Sequence, residues 1–273
     1  MTDKEKDLNK FEEFLGYPCN LSDPQTHNEK VMWKKYNDRD PLLTITSDKI
    51  KVKGYVEDIL GKNTGMFSQR LYEGYDLIEA KKYMTVPCVI KANNASGRNI
   101  FLSAISKELV NIAINNIQDN KWFSRKYGAE KSEWAYQDIK PGIVIEEKVF
   151  DDIHSCHRFL CFKGKVEYIQ VHHYDSFNFG TVPNISHVST FDKDWNLVPV
   201  NYKHYPYRNH AKPIQYEKLV EYSEKLSSPF NFCRIDYLLD FEKTYFGEIT
   251  HYPVSGKCKF TPESFDYKLG GLW

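Results

Sequence analysis

FCRIDYLLDFEKTYFGEITHYPVSG, residues 232–256 of 273, reads as an antiparallel hairpin around which the rest of the chain is placed. Cys233 to Leu239 is apolar and aromatic with polar breaks, Asp240 to Thr244 has turn chemistry, and Tyr245 to Thr250 runs back. Alternate residues of a strand share a face, so Arg234 lies beside Asp236 and Thr250 beside Glu248. The turn brings the two carboxylates to one point. Hard divalent cations such as Mg²⁺ take oxygen ligands and keep positions open for phosphate oxygens, which makes Asp236 and Glu248 candidate ligands. Arg234 adds a fixed planar cation suited to phosphate. Pro253-Val254-Ser255-Gly256 is a turn whose backbone N–H groups suit an anion. An ordinary hairpin with charges on its wet face fits the same residues equally well.

Composition narrows the field. The chain has 37 basic and 37 acidic residues, which speaks against a general electrostatic grip on nucleic acid or anionic lipid and points to a small partner. Six cysteines form no CxxC pair, and four lie in apolar strand-like runs, as buried thiols of a reducing compartment do. The N-terminus MTDKEKDLNKFEEF has no apolar h-region and no run of 18 apolar residues occurs, so a cytoplasmic protein without a membrane span is expected. Aromatic residues make up 15%, consistent with a sheet protein that handles a polar ligand.

Ahead of the hairpin, helices are expected at Asp7 to Phe14, stopped by Gly16, at Asn28 to Tyr36, and from a Ser47 cap to Gly61. From Met66 the pattern becomes MFSQRLY as strand, DLIEAKKY as helix, and VPCVIKA as strand. A small-residue turn, Asn93 to Asn99, leads into a strand at Ile100 to Ser103. Ser106 caps a helix to Ile117, and Lys121 to Asp138 adds another. After a Pro141-Gly142 hinge come strands GIVIEEKVF, HRFLCFK and VEYIQVHHY, with Lys163-Gly164-Lys165 as a tight turn. Ser176 to Pro206 reads as an irregular loop over the site, and Pro213 to Leu226 as an amphipathic helix.

Lys91 ends a buried-looking strand where flexible backbone can wrap a ligand, and residues 94–99 offer unhindered N–H groups. Neither GxxxxGK[ST] nor GxGxxG is present. Glu146 and Glu147 close an apolar run, an edge that suits a flat heteroaromatic ring such as adenine and equally a solvated face. His154, Cys156, His157, Cys161, His172 and His173 match no standard closed metal site.

The order of these pieces resembles the ATP-grasp enzymes, and within them the TupA-like group, from Asn28-Glu29-Lys30 through VPCVIKANNASG and GIVIEEKV to FCRIDYLL and YFGEITHYPVSG. The most diagnostic part is Arg234, Asp236, Gly247, Glu248, Thr250, Pro253, Ser255 and Gly256. The resemblance implies an α+β ATP-grasp fold of two lobes, each a mainly antiparallel sheet with helices: a helical N-terminal segment (1–65), a first lobe with a phosphate-covering loop (66–140), and a second lobe with the metal and acceptor site (141–273). It implies that Lys49 and Lys91 touch ATP phosphates, that Ala95, Ser96 and Gly97 belong to a flap over them, and that Glu146, Glu147 and Val149 hold adenine. Asp236 and Glu248, with Thr250 as a third oxygen, would bind Mg²⁺. Lys91, Arg234 and Arg158, the last in a place usually held by lysine, would act on the transferring phosphate, and Ser255-Gly256 would steady it or the acceptor.

The implied reaction joins a carboxylate to an amine through an acyl phosphate. In this group a sugar uronic acid and an amino acid or small amine of surface-polysaccharide biosynthesis are the expected partners. A phosphotransferase or a non-catalytic nucleotide-binding protein is the alternative. The sequence departs from the group at Asn94 and Ala95 in the flap, and at Cys156, where an aspartate is usual; either Asp151 or Asp152 substitutes at that ribose contact, or the ribose is held differently.

Overall fold

The computed structural model describes residues 1–62, 64–124, 126–149, 155–176, 184–239 and 243–273. Two antiparallel sheets face each other. The first is built from β1 (Arg70–Gly74), β2 (Cys88–Ala92), β3 (Asn99–Leu102) and β4 (Ile143–Glu147), in the order β1-β4-β2-β3. The second contains β5 (Ser155–Phe162), β6 (Lys165–Ser176), β7 (Asn184–Asp192) and β8 (Leu197–Val198). With β10 (Phe232–Leu239) and β11 (Thr244–Thr250) its order is β11-β10-β5-β6-β7-β8. A two-stranded ribbon pairs β9 (Asn201–Tyr202) with β12 (Phe260–Thr261). This is the expected α+β architecture of two mainly antiparallel sheets with helices.

Helices cover the outer faces. α1 (Asp3–Leu15) starts on a Thr2 capping box and stops at Gly16 in the left-handed region, as residues of those types favour. α2 (His27–Asn37), α3 (Pro41–Ser47) and α4 (Val52–Leu60) follow, with α5 (Leu77–Lys81), α6 (Lys107–Asp119) and α7 (Tyr127–Lys131) on the first sheet's side of the chain. α8 (Tyr216–Ser227) lays Tyr216, Leu219, Ser223 and Leu226 against the second sheet, the face its periodicity predicts, and α9 (Ser264–Gly270) closes the chain. No described helix is long and apolar enough to cross a membrane.

The N-terminal helices are not a free-standing segment. Asn28 of α2 donates to the Cys258 carbonyl (2.7 Å) and Asp266 (2.7 Å) and accepts from the Cys258 N–H (2.8 Å). Tyr55 of α4 donates to the Leu226 carbonyl of α8 (2.7 Å). The prelude is therefore part of the body that carries the second sheet.

Several expectations are corrected. The strand after the expected boundary at 140/141, β4, pairs with both β1 and β2, so the first sheet runs to Glu147. Its fully buried Ile143, Val144 and Ile145 need cover on both faces, which only an interior position gives. Ser47 does not cap a helix. Asp40 followed by Pro41 starts α3 earlier, and Ser47 is its last residue. Strand β1 begins at Arg70, not Met66. The 121–138 helix reduces to α7 and one 3₁₀ turn at 134–136, interrupted by Ser132 in the left-handed region. The loop expected at 176–206 holds β7, β8 and β9; its polar His187, Ser189 and Thr190 are buried, which hid the strand's alternation. Residues 177–183, the 240–242 part of the hairpin turn, and Asp151, Asp152 and His154 lie outside the described residues.

Candidate active site

Hairpin β10–β11 sets Asp236 directly opposite Glu248 and Arg234 opposite Thr250. On its other side β10 pairs Asp236 with Arg158 of β5, so Arg158, Asp236 and Glu248 form one row across three strands. The ladder slips between Asp236 and Tyr237, leaving Gly247 as the extra residue of a bulge beside the carboxylates. A Cβ at Gly247 would stand 3.0 Å from the Asp236 carbonyl oxygen, so glycine permits this close approach.

Arg234 donates to both Asp236 oxygens, from Nε and Nη2, each at 2.6 Å. Its Nη2 also reaches the Thr250 hydroxyl (3.2 Å) and Glu248 (3.4 Å), and Thr250 donates to Glu248 Oε1 at 2.7 Å. The Arg158 guanidinium stands 3.5 Å from Asp236. Both members of the Arg234–Asp236 pair are nearly fully buried, so each is the other's compensation for lost water. Burial raises the Asp236 carboxyl against the pull of Arg234 and Arg158. Burial acts the same way on Glu248, but Lys49 and Arg234 outweigh it and hold that carboxyl below its ordinary range. The donor set is oxygen-only and carries two carboxylates in register, which fits a hard divalent cation.

The first sheet supplies the opposing wall. Lys91 on β2 pairs with Glu146 on β4 at 2.6 Å, and Arg70 approaches the same carboxylate at 3.4 Å. Burial would raise Glu146, yet Lys91 and Arg70 keep it lowered. The Glu146 side chain, expected at adenine, is thus directed at Lys91. Lys49 donates to the Ala95 carbonyl (2.6 Å), and burial depresses its ammonium. Asn93, Asn94 and Ala95 are buried, and only Ser96 and Gly97 of the expected flap are exposed. Asn93 is a fixed hub: its side chain donates to Asp48 (3.0 Å) and the Lys140 carbonyl (3.1 Å) and accepts from the Gly142 N–H (2.6 Å).

Between the sheets lies a cavity of about 280 Å³. Lys49, Lys91, Ser96, Gly97, Glu146, Glu147, Val149, Arg158, Asp236 and Glu248 all line it, ten of the sequence-derived candidates in one place. A second cavity, of about 740 Å³, adjoins it and shares Ser96, Arg158 and Glu248; Arg234, Thr250 and Ser255 line this one. Two candidates fall elsewhere. Ala95 is buried beneath the loop tip, and Gly256 packs on α2, where a Cβ would meet Met32 at 2.9 Å. The anion turn is also partly closed, because the Ser255 N–H bonds to the Tyr252 carbonyl (2.9 Å).

Sequence reading missed Arg70, which donates to the Lys49 carbonyl (3.1 Å), and the second cavity's Asp7, Lys10, Glu133 and Lys257. Asp7 takes Lys35 (2.5 Å) and Lys257 (2.8 Å). These residues come from α1, α2, the 132–136 segment and the end of the hairpin, and no spacing along the chain relates them. His173, His187 and His210 gather on the second sheet, but their rings stack at 3.9–5.0 Å and Arg208 Nε donates to His187 Nε2 at 2.7 Å.

A family model described as TupA-like ATPgrasp matches residues 29–273. Among solved structures, D-alanine–D-alanine ligase from Bacillus anthracis is 15% identical with a TM-score of 0.48, over 84% of this chain and 66% of that one. L-amino acid ligase from Bacillus licheniformis is 15% identical with a TM-score of 0.45, over 77% and 41%. D-alanine–D-alanine ligase from Helicobacter pylori is 14% identical with a TM-score of 0.44, over 84% and 59%. The chain spans less than two thirds of the length of each of these proteins. No curated protein matches it.

Proposed function

The chain belongs to the TupA-like ATP-grasp family, and from that premise we propose that it is an ATP-dependent carboxylate–amine ligase. The observation that carries the reading is the direct opposition of Asp236 and Glu248 across a cavity from Lys49 and Lys91. In this reading Lys49, Lys91 and the Ser96-Gly97 loop tip bind the phosphates of ATP, and the edge at Glu147 and Val149 receives adenine. Glu146 aims Lys91 and does not touch the base. Asp236 and Glu248 would hold Mg²⁺, which when bound supplies a Lewis acid for phosphoryl transfer. Thr250 orients Glu248.

A carboxylate does not condense with an amine at neutral pH, because oxide would have to leave. Transfer of the γ-phosphoryl group to the carboxylate gives an acyl phosphate, whose phosphate leaves readily. Arg158 and Arg234, on the wall common to both cavities or beside it, offset charge on the transferring group. The acceptor end is the second cavity, where Ser255 lies. The two facing sheets are the two lobes, and the fit of the family to cytoplasmic synthesis of surface polysaccharide makes a sugar uronic acid and an amino acid or small amine the proposed substrates. ADP and phosphate release over a panel of uronic acids, sugar nucleotides and amines tests this. A ligase releases both only with acid and amine together; phosphate retained in the product identifies a phosphotransferase, and release of neither refutes turnover.

A further inference from the structure

The second cavity contains a buried carboxyl group that the reading above does not use. Glu133 precedes the 3₁₀ turn at 134–136, is 4% exposed, and lines the cavity together with Ser255, whose hydroxyl favours its charged form. That hydroxyl in turn accepts from Lys35 Nζ at 2.9 Å. Asp7 accepts from both Lys35 and Lys257, the lysines closest to this hydroxyl. Among the described residues no ion pair within 4.0 Å is made by Glu133 itself. A buried carboxylate with no ion pair among the described residues, in a cavity that shares Arg158 and Glu248 with the first, is placed to meet a cationic substrate group.

We infer that Glu133 is the general base of the second half-reaction, accepting a proton from the incoming ammonium. The inference rests on the ligase reading and adds a residue to it. The amine arrives as R–NH₃⁺, and the Glu133 carboxylate takes one proton to leave R–NH₂. Its lone pair forms the C–N bond while the C–O bond to the phosphate breaks; the second proton leaves nitrogen with the phosphate, and Glu133 returns its own to water. Amide, hydrogen phosphate and one released proton balance the acyl phosphate and ammonium consumed.

The surroundings suit a base that works near neutrality. Lys35 of α2, Lys131 of α7, and Lys257 with Ser255 after β11 act on Glu133 to favour its charge. Tyr127, Tyr136 and Tyr252 also face it, and Asp7 of α1 lies behind Lys35. Burial outweighs the cations and pushes the Glu133 carboxyl up to about 7, while burial brings the Lys35 ammonium down to about 8. General base catalysis is most effective when the base titrates near the working pH.

Hydroxylamine distinguishes a base from a structural prop, because its nitrogen is largely unprotonated at neutral pH and needs no base. The assay measures ADP release with the acid active in the panel and either glycinamide or hydroxylamine as nucleophile. Glu133→Gln is expected to lose on the order of 10²-fold or more with glycinamide and to be rescued by hydroxylamine, with the acid limb of the kcat/KM profile near pH 7 abolished. Glu133→Asp should keep that limb at a lower rate, which separates lost chemistry from lost folding. Equal effects of Glu133→Gln on both nucleophiles, or an unchanged acid limb, overturn the inference. If the wild-type protein releases no ADP with any pair, hydroxylamine included, the ligase reading fails and takes the inference with it; activity with an unaffected Glu133→Gln variant removes Glu133 alone.

Discussion

The two adjoining cavities are built from the same hairpin yet by different means. The first cavity, proposed for the nucleotide, draws most of its charged groups from strands: Lys91, Glu146, Arg158, Asp236 and Glu248 sit on five strands at positions fixed by ladder register, with Lys49 added from the turn after α3. The acceptor-side cavity draws Lys10 from α1, Glu133 from the segment after α7, and Lys203 and Lys257 from turns. Lys49, Lys91 and Arg158 of the first each stand beside a carbonyl or carboxylate oxygen, whereas in the second the buried Glu133 makes no ion pair within 4.0 Å among the described residues. The contrast separates a wall whose side chains are set by ladder register from one assembled by tertiary docking. It also separates residues 29–273, which match the family, from α1, which lies outside that match and still reaches the acceptor side.

The sharpest way to break this contrast is at the paired carboxylates. Asp236→Asn and Glu248→Gln should each lower ATP turnover by on the order of 10³-fold while circular dichroism and cooperative melting persist. Near-normal ADP release by either variant would remove that residue from the metal site.

A second test compares stability on the acceptor side. Glu133 has a folded value near 7 against an ordinary 4.5, so between these values the folded chain binds a proton that the unfolded chain lacks. Its contribution therefore falls as pH rises from about 4.5 and is fully lost above about 7, a difference of about 3 kcal/mol. Glu133→Gln stays neutral, so its urea midpoint should exceed the wild-type midpoint at pH 8, with the gap closing at pH 5. A variant less stable at pH 8 would contradict the buried, unmatched carboxyl.

Of similar size is Asn28→Ala, which removes both bonds to Cys258 and one to Asp266. A loss of about 3 kcal/mol is expected in the same denaturation assay, and a change under about 0.5 kcal/mol would show that α2 does not anchor the second body. Smaller still is the ligand effect: ATP with Mg²⁺ at 100 times its Kd should stabilise the chain by about 2.7 kcal/mol, read as a raised melting temperature. Lys10→Ala, on the acceptor side only, should leave that rise unchanged. No shift in the wild-type chain at millimolar nucleotide counts against the nucleotide site itself, and a shift lost in Lys10→Ala against the separation of the two cavities.

Much of the nucleotide side was legible in the sequence because strand geometry is periodic. Arg234 beside Asp236 and Glu248 beside Thr250 follow from alternation, and the facing of Asp236 and Glu248 needs only a hairpin with the right turn. The fold class and most helices were legible for the same reason, with caps such as Ser106 marking ends. Where local signals competed, the reading slipped: Asp40-Pro41 claimed the helix start that Ser47 also advertised, and buried polar residues disguised β7. Gly256 resembled an anion-turn residue, but its positive φ and its contact with Met32 serve packing.

Sequence by itself determined the hairpin, its row of carboxylates and cations, and the family to which these belong, since each depends on neighbours a few residues apart or on one ladder. Only the tertiary structure decided that β4 joins the first sheet, that Glu146 turns to Lys91, and that Asp7, Lys35, Glu133, Ser255 and Lys257 meet. The physical reason is that those encounters depend on how packed bodies bury their faces against one another, and burial, unlike alternation, leaves no period along the chain.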